Sequence, residues 1–220
     1  MIRLVLSETK QDKQTVKHII ENYHSYVPNA SSVGRRIDWL IYDDNELIGM
    51  IGVGSSVYPC PKDLLNRLSA NIHNYRTDIF NSICNNWRFC MKTHVKNAGT
   101  QVLKLMRERA PIEWKKKYGD ELVAIFTFVA GGNNGAVYKA DNWEVIGMSS
   151  GMKMNKAYST KWETAEEKKE KGLARVGDVD KKIILFKDLR SKKERRKEYI
   201  TTIQSSKIVE ETVNLESFLQ

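Results

Sequence analysis

The chain has 220 residues, 41% of them hydrophobic, with only 4 prolines and 13 glycines, which excludes a collagen-like or disordered chain. A chain of this length buries roughly 70% of the surface that its unfolded form exposes, so it can fold without disulfides or metals. Three cysteines and no C-x-x-C motif argue against a disulfide framework and against a cysteine-built zinc site. With no apolar run near about 18 residues and no signal-peptide core, we expect a cytoplasmic protein without a membrane span.

The net charge is +9, from 36 lysine and arginine residues against 27 aspartate and glutamate residues. The excess is concentrated in residues 88–117 and 181–197, each with nine basic side chains against two acidic ones. Clustered cations indicate a polyanionic partner, of which nucleic acid is the commonest. The other interpretation of each cluster is a solvated helix face, and charge alone does not separate the two.

Hydrophobic periodicity predicts strands and helices that alternate along the chain. Residues 12–23 have the i, i+3, i+4, i+7 spacing of an amphipathic helix, and residues 43–45 form a turn between two apolar strands. The predicted elements are strand 2–6, helix 12–23, hairpin 36–53, helix 63–72, strand 87–95, helix 98–109 extended through 118, strand 122–129, helix 134–140, and strands 143–148 and 182–187. This order is typical of an α/β fold.

Composition divides the chain into three parts. Residues 1–150 hold the predicted core, and residues 151–180, rich in Lys, Glu, Ser and Thr, indicate a charged, mobile insertion or a solvated helix. Residues 181–220 are predicted to complete the domain with a basic strand, a basic helix over 190–204 and a fraying tail. The sequence leaves the oligomeric state open, and a homodimer is one alternative.

One junction in the sequence could bind phosphate. A predicted strand ends at Val95, a short turn follows, and a long apolar-faced helix then begins. The first turn of such a helix presents free N–H groups and the positive end of the helix dipole, so it can bind phosphate. Gly99 would let a pyrophosphate approach the backbone, and Thr100 would add a hydroxyl donor. A glycine at such a junction also serves packing alone, and that alternative stays open.

Five short strings carry a family resemblance. They are Tyr23-His24, Asn86-Trp87-Arg88-Phe89, Asn97-Ala98-Gly99-Thr100, Thr127-Phe128-Val129, and the string G-A-V-Y-K-A-D-N-W from Gly135 to Trp143. The last string, after an apolar strand, resembles the second half of a GCN5-related N-acetyltransferase (GNAT) core. Within that superfamily the chain resembles the Mom family of phage DNA-modification proteins, and about as well the related Druantia-type defence proteins.

The resemblance implies a GNAT-like α/β fold with a mixed central sheet flanked by helices. It also implies a Mom-like transferase that alters a base in DNA, with adenine as the expected base, through a GNAT-type acyl-transfer site. Acetyl-CoA or another acyl donor would lie in a cleft where two central strands splay apart. The residues expected to bind this donor are Lys96, Asn97, Ala98, Gly99 and Thr100.

Two other functions stay open. One is a nucleic-acid-binding protein that uses the same scaffold without catalysis. The other is an ordinary acetyl-CoA-dependent N-acetyltransferase, which the cationic surface does not favour.

The resemblance and the residue types also indicate catalytic and DNA-contacting side chains. In acetyltransferases of this fold a tyrosine at the position of Tyr138 often protonates the leaving thiolate, and the alternative is a packed tyrosine. His24 is predicted to act as a base or to contact a base edge, the alternative being a satisfied surface histidine. Tyr58 could stack on a flipped base. The predicted DNA contacts are Arg88, Tyr58, Lys115, Lys116, Lys192, Arg195 and Arg196, and no metal site is predicted.

Overall fold

The computed structural model describes residues 1–24, 34–57, 61–68, 79–130, 132–149, 181–191 and 193. In chain order its elements are β1 (Ile2–Leu6), α1 (Lys10–Tyr23), β2 (Arg36–Asp43), β3 (Glu46–Ser55), α2 (Lys62–Arg67), β4 (Ile83–Met91), α3 (Ala98–Tyr118), β5 (Ala124–Val129), α4 (Ala136–Ala140), β6 (Glu144–Met148) and β7 (Ile183–Asp188). The insertion predicted over 151–180 and most of the helix predicted over 190–204 lie outside the described residues. Within the described ranges, no helix combines the length and the apolarity needed to cross a bilayer.

The seven strands form one sheet in the order β1-β2-β3-β4-β5-β7-β6. Neighbouring strands from β1 to β4 are antiparallel, as are β6 and β7, whereas β4 and β5 run parallel. A parallel pair needs a crossover connection, and α3 supplies it. The structure therefore confirms the predicted α/β class, a mixed central sheet flanked by helices.

The chain divides into two compact units, Met1–Lys187 and Asp188–Gln220. The first unit holds the four helices given above. In the second unit, the backbone N–H and the guanidinium of Arg190 donate to the carboxylate of Asp188 over 2.9–3.0 Å. The domain boundaries predicted from composition, at residues 150 and 180, stay predictions.

Helix α1 packs on one face of the sheet through the apolar positions that its periodicity predicted. Val16, Ile19 and Ile20 are buried against side chains of β2, β3 and β4. The helix begins at a capping box, in which the side chains of Thr9 and Asp12 each accept from the other's backbone N–H. Such a cap stabilises a helix by about 1 kcal/mol, which explains why α1 starts two residues before the predicted position.

Helix α3 covers the other face of the sheet. Side chains alternate across a strand, and because Leu40 of β2 packs with α1, Trp39 and Ile41 face the opposite side. Both are fully buried, and α3 contacts β1, β2 and β3. The helix runs unbroken through Pro111, whose missing N–H removes one hydrogen bond from its ladder.

Strand β4 spans Ile83–Met91, whereas the predicted strand was 87–95. Both predicted ends were therefore wrong by four residues. Its pairing with β3 shifts between Gly52 and Val53, which makes Trp87 the extra residue of a β-bulge. The bulge turns Trp87 toward the α1 face, where its indole N–H donates to Asp38 over 2.9 Å. A Cβ on Gly52 would overlap both the Asp38 carboxylate and the Trp87 indole, so only glycine fits there.

The central strands β4 and β5 separate soon after they meet. Their parallel pairing covers three residue pairs and ends with Asn85 opposite Phe126. Beyond that point β4 continues to pair with β3, through the bulge at Trp87, as far as Met91. The predicted splay between two central strands is therefore present, and a cleft opens at it.

Candidate functional site

The cleft between the diverging ends of β4 and β5 has a volume of about 420 Å³. Its walls come from the end of α1, from β4 and β5, and from α4 with the segment that precedes it. The polar side chains that line it are His24, Asn86, Arg88, Thr127, Asn133, Asn134 and Tyr138, and the aromatic ones include Phe89 and Phe128. Three predicted site residues from distant segments, His24, Arg88 and Tyr138, therefore share one cleft.

Tyr138 lies on α4 with 8% of its surface exposed. Its ring packs edge-on against Trp143, with ring centroids 5.0 Å apart, and against Phe89. Its hydroxyl donates to Asn86 Oδ1 over 2.6 Å. A tyrosine has a single hydroxyl proton, so protonation of a leaving group by Tyr138 requires this bond to break first.

Asn86 is a buried polar residue of β4, with 3% of its surface exposed. Its side-chain Nδ2 donates to the backbone oxygens of Gly52, over 2.8 Å, and of Arg88, over 3.2 Å. Its own backbone oxygen accepts from Thr127 Oγ1 of β5 over 3.0 Å. From the sequence, Asn86, like Arg88, could line a substrate pocket or contact phosphate; the structure places it at the cleft, where its side chain bonds to Tyr138 and to two backbone oxygens.

His24 is half-buried at the end of α1, in the same cleft as Arg88. Burial, and after it the positive charge of Arg88, lowers the pKa of His24 from 6.5 to about 4. The imidazole is therefore neutral at neutral pH and can accept a proton or a hydrogen bond. The Arg88 guanidinium donates to the Trp87 backbone oxygen over 2.7 Å and lies 5.0 Å from the Trp87 ring centre, which fixes a cation at the cleft.

A buried ion pair holds α4, and with it Tyr138, against α3. Arg107 of α3 donates twice to the carboxylate of Asp141, over 2.8 and 2.6 Å. The same carboxylate accepts from the indole N–H of Trp143 over 2.9 Å, and Lys187 donates to the Asp141 backbone oxygen. The string D-N-W is thus structural: it anchors the helix that carries the tyrosine.

The predicted donor loop has a different geometry from the one expected. The strand before it ends at Met91, and Asn97 takes a left-handed conformation with φ of 62° before α3 begins. A Cβ on Gly99 would lie 2.5 Å from Cγ2 of Val137, so this glycine admits a side chain of α4. The packing alternative thus accounts for Gly99, whereas the first turn of α3 holds no acidic side chain and no side-chain cap.

The three predicted DNA contacts that the structure describes, Arg88, Lys115 and Lys116, lie in different places. Lys116 lines a second groove of about 940 Å³, where basic residues of α1 and α3 alternate with acidic ones such as Glu113. Lys115 pairs with Glu121 over 2.6 Å at the surface. Tyr58, Lys192, Arg195 and Arg196 lie outside the described residues, and their roles stay predictions.

The second groove also reaches Asp38, a buried carboxylate at its floor. Arg36 pairs with Asp38 over 2.5 Å and stacks on Trp87, with its guanidinium 3.9 Å from the ring centre. Burial raises the pKa of Asp38, although Arg36 opposes that shift. Trp87 therefore contacts arginines from both sites, Arg36 in the groove and Arg88 in the cleft.

The fold and the cleft define a member of the α/β class with a polar site between two diverging strands. The chain belongs to the family of the Druantia protein DruA, whose sequence model matches residues 1–173. Among curated proteins, none matches the chain.

Several solved structures are similar in shape. The ribosomal-protein-S18-alanine N-acetyltransferase of Escherichia coli is 10% identical, with a TM-score of 0.46 over 87% of this chain and 96% of that one. A Bacillus cereus acetyltransferase of the GNAT family is 12% identical, with a TM-score of 0.46 over 86% and 97%. Campylobacter jejuni N-acetyltransferase PseH, solved in complex with acetyl coenzyme A, is 10% identical, with a TM-score of 0.41 over 86% and 99%.

Proposed function

We propose that this protein is a Mom-like transferase that modifies a base in DNA, with adenine as the base, in the cleft between β4 and β5. The observation that supports it is the meeting of His24, Arg88 and Tyr138 in one polar cleft. A base extruded from a duplex needs aromatic faces to stack on and amide groups to read its edge. Phe89, Phe128 and the amides of Asn133 and Asn134 line the same space.

The positive charge of the protein supports DNA as the acceptor substrate. Arg88 places a cation at the cleft, and the chain as a whole carries +9. Cationic side chains neutralise phosphates and so supply most of the affinity for nucleic acid. His24 is neutral at neutral pH, so in this proposal it acts as the base that accepts a proton from the acceptor amine.

The donor in this proposal is acetyl-CoA or another acyl donor, which would supply the transferred group. The first turn of α3 fits its pyrophosphate, since it lacks carboxylates and a side-chain cap and is preceded by Lys96. Lys96, Asn97, Ala98 and Thr100 would hold the phosphates through backbone N–H groups, the lysine charge and a hydroxyl. Gly99 would contribute its backbone N–H to the same contact, while Val137 packs where a side chain on Gly99 would lie.

A second candidate is a DNA-binding protein without catalysis. Two observations favour it: Val137 fills the space over Gly99, and the Tyr138 proton is already bonded to Asn86. Both would be expected of a site that holds a ligand but transfers nothing.

The test is mass spectrometry of nucleosides from the DNA of cells that express the wild type, Arg88→Gln or Tyr138→Phe. Arg3→Gln, an exposed arginine on the edge strand β1, is the matched control. The proposal expects a modified adenine nucleoside with the wild type and control, and less with Arg88→Gln. For Tyr138→Phe, a fall in modification of about 10²–10⁴-fold would identify the hydroxyl as a general acid. A fall of about tenfold or less would mean that the hydroxyl contributes one hydrogen bond only. Unmodified DNA with tight DNA binding would favour the second candidate, and an acetylated protein or metabolite would favour an ordinary N-acetyltransferase.

A further inference from the structure

Trp87, the extra residue of the bulge in β4, has an indole ring that is fixed from several sides. The ring packs among Leu40, Met50 and Cys90 under α1, and 9% of the residue is exposed. Its indole N–H donates to Asp38 Oδ1 over 2.9 Å. A buried indole N–H without an acceptor is costly, so the packing and the hydrogen bond together select one orientation of the ring.

The carboxylate of Asp38 is held as firmly as the ring that it binds. With 8% of the residue exposed, Asp38 needs a partner for each of its oxygens. Oδ1 accepts from Trp87, and Oδ2 accepts from Nε of Arg36 over 2.5 Å. Turning the carboxylate away from the indole would also break its bond to Arg36, so the acceptor for the indole N–H stays in place.

Arg88, the next residue along β4, uses Trp87 as its support. Its Nη1 donates to the Trp87 backbone oxygen over 2.7 Å, and its guanidinium carbon lies 5.0 Å from the centre of the indole ring. A guanidinium is attracted to the face of an indole, and both contacts act on the charged end of the side chain. A long side chain that would otherwise sample many rotamers is therefore confined to one place at the cleft.

The place of this cation affects His24. The two residues line the same cleft, and after burial the charge of Arg88 is the second cause that lowers the pKa of His24 to about 4. Water would screen the imidazole from a guanidinium that extended into solvent. The charge that His24 senses therefore depends on where the guanidinium is held.

We propose that Trp87 is a positioning residue of the cleft: held by Asp38, it keeps the cation of Arg88 beside His24. A leucine at this position would also fill the core under α1, but it has neither an aromatic face for a cation nor an N–H for Asp38. The inference rests on the proposed function only for the use of the cation, which is to bind a phosphate of DNA beside the imidazole of His24. It deepens that function by adding a residue that acts through Arg88.

The test is a double-mutant cycle on the titration of His24, followed by NMR with labelled histidine and assigned by the signal that His24→Gln removes. Arg88→Met removes the charge, and Trp87→Leu removes its support. We expect each variant to raise the midpoint of His24, and the double variant to match Arg88→Met within error. A tryptophan that only shields His24 from water would shift the midpoint equally with and without Arg88. That result, or an unchanged midpoint in Trp87→Leu, overturns the proposal.

The matched control is Trp114→Leu. Trp114 is also a buried tryptophan, and its indole N–H donates to the Asn81 backbone oxygen over 2.9 Å. It is not among the described residues that line the cleft. This variant should lower stability and leave the midpoint of His24 unchanged. An equal rise of the midpoint in both tryptophan variants would show general loosening of the fold and contradict the proposal.

The wild-type protein decides the geometry even if a variant does not fold. We expect nuclear Overhauser contacts between the Arg88 side chain and the Trp87 indole, together with slow exchange of the indole N–H proton with water. Asp38→Asn keeps an acceptor for this proton and should keep these contacts, whereas Asp38→Ala should weaken them. No contact between Arg88 and Trp87 in the wild type overturns the proposal, and full contacts in Asp38→Ala overturn the role given to Asp38.

Binding of a short single-stranded DNA probe that contains adenine tests the use of the cation. Arg88→Met should weaken binding by about ten- to a hundredfold, the factor for one hydrogen bond to a charged group. Trp87→Leu should lose part of the same factor, and the double variant should bind no more weakly than Arg88→Met. Fully additive losses would contradict the proposal. If the wild type does not bind the probe, the DNA part of the proposed function fails, while the His24 cycle still decides the role of Trp87.

Discussion

Val137 of α4 occupies the space where a side chain on Gly99 of α3 would lie, with Cγ2 only 2.5 Å from an ideal Cβ. The absence of a side chain at position 99 thus joins two helices. One of them begins at the predicted donor loop and the other carries Tyr138. The predicted donor loop therefore leads into a helix that packs directly on the helix carrying Tyr138.

Gly99→Val should therefore destabilise the fold. Overpacking of a filled core costs about 1–3 kcal/mol in the free energy of unfolding. Urea denaturation measures this cost. The matched control is Gly99→Ala in a Val137→Ala background, where the space is open and alanine should be neutral or stabilising because it favours helix more than glycine does. A Gly99→Val variant as stable as the wild type would show that Val137 moves aside freely.

Tyr138→Phe should lower the free energy of unfolding by about 1–3 kcal/mol, since it leaves Asn86 Oδ1 buried without its donor. Tyr23→Phe is the control, because Tyr23 is 45% exposed and its loss of a hydroxyl should change stability by less than about 0.5 kcal/mol. Equal stability of both variants would contradict the hydrogen bond.

His24 should titrate far below an ordinary histidine, with an NMR midpoint near its pKa of about 4. The folded state keeps the ring neutral while the unfolded state binds a proton near pH 6.5. The contribution of His24 to stability is therefore present above pH 6.5 and is lost as the pH falls toward 4. Arg88→Met should raise the midpoint by removing the second cause, and His24→Gln should flatten the stability profile between pH 6.5 and 4. A midpoint near 6.5 would place the ring in solvent.

Asp141→Ala should destabilise the protein by about 3 kcal/mol or more, because it leaves the largely buried Arg107 without its partner. Thermal unfolding followed by circular dichroism measures the loss. Glu108→Gln is the control: it breaks an exposed pair with Lys104 at 4.0 Å, which is worth about 0.5 kcal/mol or less. Comparable losses of stability in the two variants would mean that the pair between Arg107 and Asp141 stabilises the fold no more than an exposed pair does.

DNA affinity should fall as salt rises, with a slope of about −0.9 for each phosphate contacted. Replacing Lys192, Arg195 and Arg196 together by glutamine should reduce the slope by up to about 3 if all three contact phosphate. The control replaces three lysines of α1, at positions 10, 13 and 17, which we do not place at DNA. An unchanged slope in the first variant would make the cluster a solvated face.

Local signals in the sequence were sufficient for much of the fold. Periodicity found α1, the turn at 43–45 placed the hairpin, and an apolar run marked β5. Strand β4 was misplaced because its first half contains Asn85 and Asn86, residues that propensity assigns to turns. Asn86 is stable in the strand only because Gly52 and Tyr138, each more than 30 residues away, bond to its amide.

The same reason limited the prediction of the site. His24, Arg88 and Tyr138 were found from residue type and family resemblance, and the sheet brings them to one cleft. The role of Gly99 was open in the sequence, because packing against Val137 depends on the angle between two helices. The sequence left two roles open for Asn86, lining a pocket or contacting phosphate, because its hydrogen-bond partners depend on how the strands pair.

Strand β7 lies between β5 and β6 in the sheet, although it comes last in the chain. A ribosome that has reached residue 149 has made β5 and β6 but not the strand that separates them. At about 5–20 residues per second, the roughly forty residues still to come take about two to eight seconds. Until β7 has been made, the side of β5 that it covers has no strand partner, and Phe126 has yet to meet Phe186. An unpaired strand edge can pair with another copy of the chain, and here that risk ends only when β7 takes its place between β5 and β6.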